Sequence, residues 1–176
     1  MVMDFRPFCL VLLFALLFSN ASGATGSSDR IRRSLRDLAE LIECETGRDA
    51  RDYINYGCWC GVGGSEDPVD QVDQCCHDHD HCYDELLDSR TCHGLDVYDT
   101  TYNLPFTEEG CSAGIQISTC SVANSRNKCG RGLCRCDVHL AMCLSSAVFD
   151  PYYYKYSRFI GCSFRGLIHS VQNVFP

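Results

Sequence analysis

The chain has 176 residues with fifteen cysteines, 23 acidic side chains against 15 basic ones, and a formal net charge of −8. That length gives one domain with a modest core, and its acidic balance excludes nucleic acid as a partner and works against strongly anionic membranes. Cysteine at this density belongs to an oxidising compartment, where bridges supplement a small core.

Residues 8–18 (FCLVLLFALLF) form an apolar run too short to span a bilayer, and small residues follow it, so residues 1–24 read as a signal peptide. Cys9 leaves with that segment, and an even fourteen cysteines remain. Residues 25–33 are polar and end Ile-Arg-Arg, which reads as a pro-segment cut after Arg33. The mature part keeps 21 acids and 11 bases, a net charge of about −10, and loses Asn20, the only Asn-x-Ser/Thr site.

Residues 34–44 (SLRDLAELIEC) set Leu35, Leu38, Leu41 and Ile42 at helical spacing, predicting an N-terminal helix with one face on the core. A polar connection leads to Tyr56-Gly57-Cys58-Trp59-Cys60-Gly61-Val62-Gly63-Gly64. Its glycines let main-chain carbonyls turn toward one point, and hard cations such as calcium take oxygen ligands of that kind.

After a turn over residues 65–72 comes the densest stretch of the chain, DQCCHDHDHCY from Asp73 to Tyr83, predicted as a helix running to about Ser89. Residues 95–120, with Pro105 and alternating residues, read as a loop and a short β-hairpin or wing, and residues 121–131 as a polar turn. A second long helix is predicted over residues 133–145, where Cys136 and Cys143 repeat the seven-residue spacing of Cys75 and Cys82. Seven residues is two turns, so antiparallel pairing of Cys75 with Cys143 and of Cys82 with Cys136 would sew the helices together. His79 would then face the helix that carries Asp137, with Asp80 about 100° round and free for another role. An imidazole held by a carboxylate on one nitrogen is a general base on the other.

An aromatic patch (Phe149, Tyr152, Tyr153, Tyr154, Tyr156) follows, and residues 163–176 form an amphipathic tail. Such a tail covers its own core or lies on a membrane. Two other motifs carry little. His77, His79 and His81 alternate, which on a helix places them about 200° apart, wrong for one zinc ion. Gly110-Cys111-Ser112-Ala113-Gly114 matches a nucleophile elbow, but polar residues 107–109 stand where that motif needs an apolar strand.

The pair YGCWCGVGG and DQCCHDHD, at this mutual distance and inside this cysteine framework, resembles the calcium loop and the D-x-C-C-x-x-H-D helix of secreted phospholipase A2, group I or pancreatic type. The resemblance covers residues 34–162. It implies a mainly α, disulfide-rich domain: an N-terminal helix, a calcium loop, two long antiparallel stapled helices and a short β-wing. It implies seven bridges, Cys44–Cys111, Cys58–Cys162, Cys60–Cys76, Cys75–Cys143, Cys82–Cys136, Cys92–Cys129 and Cys120–Cys134. Cys44 with Cys111 marks group I, as does His81 where group II enzymes carry an extra cysteine.

By the same resemblance His79 is the general base for water, Asp137 orients it and Tyr83 hydrogen-bonds Asp137. Calcium is held by both oxygens of Asp80 and by the carbonyls of Trp59, Gly61 and Gly63, and the Gly61 N–H assists the ion at the oxyanion. The implied activity is calcium-dependent hydrolysis of the sn-2 ester of glycerophospholipids by a secreted monomer. Its partners are membrane or micelle surfaces, with a cell-surface receptor as a further possibility.

The sequence departs from the family pattern in its tail, in Arg36 and Asp37 on the first helix, and in the second tyrosine expected near Thr107. Of the aromatics near that position, Tyr102 and Phe106, only Tyr102 can donate a hydrogen bond. A receptor ligand, toxin or matrix protein without turnover is the alternative. The presence of His79, Asp80, Tyr83, Asp137 and every loop glycine argues against it.

Overall fold

The computed structural model describes residues 26–61, 63–104, 115–157 and 161–162, with side chains from Leu35 onward. The stretch read as a signal peptide and residues 163–176 of the tail lie outside the described residues.

The fold is mainly helical. Helix α1 spans Gly26–Thr46 and begins within the stretch read as a pro-segment. Its apolar stripe turns inward as expected: Leu41 and Ile42 are buried and Leu38 packs beside them. A short 3-10 turn, Ala50–Tyr53, leads to the glycine loop. Helix α2 spans Gln71–Asp88, and the Asp70 carboxylate caps its start by accepting from the Asp73 N–H at 2.9 Å. Then come α3 (Asp96–Asp99), α4 (Ile117–Ala123) and α5 (Lys128–Ser146). Helices α1 and α2 both pack on α5, whose Leu133, Val138, Leu140, Ala141 and Leu144 fill the centre.

Sulfur fastens this frame. Cys75–Cys143 and Cys82–Cys136 join α2 to α5, and Cys60–Cys76 and Cys58–Cys162 hold the glycine loop. Cys92–Cys129 and Cys120–Cys134 complete the six bridges among the described residues. All six are pairs that the resemblance implies. Cys44 is also disulfide-bonded, and its expected partner Cys111 lies outside the described residues.

The middle of the chain differs from expectation. No strand occurs among the described residues, and α3 and the start of α4 fall at the two ends of the stretch read as loop and wing, with irregular chain at 100–104 and 115–116. Residues 105–114, including the nucleophile-elbow match, lie outside the described residues. In α4, Ile117 packs against the core, Cys120 is buried, and its bridge ties the helix down on α5, so helical spacing prevails over the alternation. Helix α5 also starts five residues earlier than predicted. Asn127 caps it by accepting from the Gly130 N–H at 2.9 Å. Gly132, just ahead of the predicted start, is where α5 comes against α2: a Cβ there would lie 2.5 Å from Leu86 Cδ2.

The aromatic patch has a structural role. Phe149 lies against Tyr53 and Tyr56, with ring centroids 5.6 and 4.9 Å away, and Tyr153 sits 6.1 Å from Tyr56. The Tyr153 carbonyl accepts from the Gly57 N–H at 3.1 Å, so this segment buttresses the glycine loop.

Candidate active site

Helix α2 brings His79 to the seam with α5, between the two staples. Its Nε2 lies 2.8 Å from Asp137 Oδ1, and its side chain is 10% exposed. Asp137 is fully buried. A lone carboxylate there would lose several kcal/mol of hydration, so its partners decide whether it can stay ionised. Tyr83 donates to Oδ1 at 2.7 Å and Tyr102 donates to Oδ2 at 2.5 Å. Burial first, then the Asp137 charge, push both phenols well above the ordinary tyrosine value, which keeps them protonated as donors. Tyr102 thus provides the second hydroxyl that position 107 lacks.

With Nε2 against a carboxylate, the ring hydrogen belongs on Nε2 and the lone pair on Nδ1. Nδ1 points toward the other acid: Asp80 Oδ1 is 3.9 Å away and about a third exposed. The ring therefore lies between a buried acid that orients it and a partly exposed acid beside its basic nitrogen.

The glycine loop is held to this helix by a residue whose role the sequence reading missed. Asp73, fully buried in the first turn of α2, accepts from the N–H groups of Cys58 at 2.9 Å, Trp59 at 2.7 Å and Val69 at 2.9 Å. Gly57 is required beside it, since its φ is +56° and a Cβ would lie 2.4 Å from Asp73 Cγ. Tyr56 donates to Asp70, and burial and that carboxylate raise its phenol. Of the proposed calcium loop, Trp59 donates its indole N–H to the Glu66 carbonyl at 2.9 Å. Gly61 and Gly63 take φ of 109° and 62°, and Val62 lies outside the described residues.

The remaining histidines separate from the centre. His77 and His81 lie on the outer face of α2, Nε2 to Nε2 3.0 Å apart, and His93 and His139 are exposed. His139, Asp78 and Leu140 line a groove of about 300 Å³ between the stapled helices that reaches His79.

The sequence pattern of the family described as Phospholipase A2 matches residues 35–156. The chain belongs to the phospholipase A2 family. It is 39% identical over 123 residues to phospholipase A2 A2-actitoxin-Cgg2a of Condylactis gigantea, covering 69% of this chain and 94% of that one. It is 37% identical over 153 residues to group 10 secretory phospholipase A2 of Rattus norvegicus, covering 85% and 91%. It is 38% identical over 124 residues to group IIF secretory phospholipase A2 of Homo sapiens, covering 68% and 66%. As a phospholipase A2 the protein is a hydrolase of phospholipids.

Proposed function

We propose that this phospholipase A2 is a secreted, calcium-dependent enzyme that cleaves the sn-2 ester of glycerophospholipids at a membrane or micelle surface, acting as a monomer. The observation that carries the reading is the imidazole fixed at 2.8 Å from the buried Asp137, with its other nitrogen turned toward Asp80.

In this mechanism His79 Nδ1 takes a proton from a water molecule as the water oxygen bonds to the ester carbonyl carbon. Asp137, held by Tyr83 and Tyr102, stabilises the imidazolium so formed. The Gly61 N–H donates to the oxyanion. His79 then returns the proton to the departing glycerol oxygen as the carbon–oxygen bond breaks, so no covalent enzyme intermediate is required.

The donors fit calcium. Asp80 supplies a partly exposed carboxylate, and Trp59, Gly61 and Gly63 supply carbonyls from a loop with left-handed glycines, an all-oxygen set. These residues would hold the ion, and bound there it would supply Lewis-acid polarisation of the ester carbonyl. The group I assignment is supported by the disulfide-bonded Cys44 and by His81 in place of a cysteine. The relatives named group IIF and group 10 do not select among the groups.

The test is fatty-acid release from zwitterionic and anionic vesicles. His79→Gln is expected to lower the rate by about 10²–10⁴-fold without loss of fold, and a calcium chelator to abolish release. Undiminished release in chelator refutes the calcium requirement, and no release from any vesicle favours a non-enzymatic ligand.

A further inference from the structure

The outer face of α2 carries a second arrangement that the hydrolytic site does not use. His77 and His81 are one turn apart, and their Nε2 atoms lie 3.0 Å from each other. On the far side of the His77 ring, Nδ1 lies 3.0 Å from Asp78 Oδ1, and Gln74 Nε2 donates to the same oxygen at 2.7 Å. Gln74 Nε2 is also 3.2 Å from His77 Nδ1, but the carboxylate is the nearer and stronger acceptor for a ring hydrogen. With hydrogen on Nδ1, the His77 Nε2 presents a lone pair toward His81. A carboxylate behind an imidazole whose other nitrogen is bare is the usual support of a histidine metal ligand.

We infer that His77 and His81 form a two-nitrogen site for a divalent transition metal on the outer face of α2. Among the described residues no group of three or more His, Cys, Asp or Glu side chains is placed to hold a metal, so water would complete the shell. The spacing also selects the ion. Two nitrogens 3.0 Å apart, each about 2.1 Å from one ion, subtend roughly 90° at it, whereas a tetrahedral angle would need about 3.4 Å. A right angle suits the square or octahedral shells of Cu²⁺ and Ni²⁺ rather than tetrahedral zinc. Both rings stand against the indole of Trp59, centroids 4.5 and 5.8 Å away, and Trp59 is the only tryptophan in the chain. An ion held here quenches that indole.

The experiment titrates Ni²⁺ into the folded, oxidised protein in excess calcium, following Trp59 emission. Quenching is expected to saturate at one Ni²⁺ per chain. Asp78→Asn, an exposed change that leaves both ligands in place, should raise the midpoint about tenfold, and His77→Gln and His81→Gln should each raise it further. His93→Gln and His139→Gln should leave it unmoved. Quenching that does not saturate, that survives in both His77→Gln and His81→Gln, or that shifts equally in the two controls overturns the assignment. The near-ultraviolet circular dichroism of each variant separates loss of the site from loss of fold. Because the readout is binding, its failure leaves the hydrolytic reading intact, and the reverse also holds.

Discussion

Asp73→Asn tests how the glycine loop is held, because the substitution keeps shape and removes only charge and one acceptor. Asp73 Oδ1 accepts from Trp59 N–H and Oδ2 accepts from both Cys58 and Val69 N–H. An asparagine amide must replace one of these oxygens by NH₂. If it replaces Oδ1, one main-chain donor is orphaned; if Oδ2, two are. The less damaging flip still sets NH₂ against the Trp59 N–H in a fully buried place, and it turns two charge-assisted bonds into neutral ones. One lost bond to a charged acceptor costs about 1.5–3 kcal/mol, and the weakening of the other two brings the expected loss to about 3 kcal/mol. Cys60–Cys76 still ties the loop to α2, so the variant folds. The assay is twofold: urea unfolding for the stability change, and fatty-acid release against calcium concentration. The half-activating concentration should rise by about tenfold, equivalent to 1.4 kcal/mol taken from loop ordering. A stability change under about 0.5 kcal/mol together with an unmoved calcium midpoint would refute the idea that this carboxylate shapes the loop.

Removing the hydroxyls around Asp137 should be unequal. Tyr102→Phe strips the described donor from Oδ2 and should cost about 2–3 kcal/mol, whereas Tyr83→Phe leaves Oδ1 with His79 and should cost about 1 kcal/mol; urea unfolding that gives the reverse order contradicts the network. Tyr56, Tyr83 and Tyr102 have phenols raised in the folded state, chiefly by burial. Their contribution is therefore complete below the unfolded tyrosine value of about 10 and is lost as pH climbs through the folded values. The unfolding temperature should fall increasingly steeply above about pH 10, and less steeply in Tyr83→Phe/Tyr102→Phe; parallel curves for the two proteins count against the raised phenols. Asp80→Asn should remove the calcium response while leaving the urea midpoint close to that of the parent, since its side chain is partly exposed.

The stapled pair of helices was legible because it depends on local spacing. Seven residues between cysteines, repeated in two segments, specify two turns wherever they occur, and His79 and Asp137 follow from the register. The apolar stripe of α1 was legible for the same reason. What escaped the sequence depended on distant approach. The predicted helix began after Gly132, and nothing local shows that Leu86 presses against that glycine. Tyr102 is 35 residues from Asp137, and the sequence marked it only as the one aromatic near position 107 able to donate; that it reaches the acid comes from the packing of the chain before α4. Asp73 was visible as an acid in a first helical turn, yet its three main-chain partners come from residues 58, 59 and 69. Residues 105–114 of the span read as loop and wing lie outside the described residues, but at its far end the alternation gave way to a helix, because period two and a short helical stripe are hard to separate over seven residues such as Ile117–Ala123.

Two of the bridges, Cys75–Cys143 and Cys82–Cys136, flank the imidazole and its acid along the joint between α2 and α5. Four thiols thus do more than make the fold durable: with these bridges reduced, the imidazole and its acid belong to helices with nothing covalent between them, and the register that sets one against the other rests on packing alone.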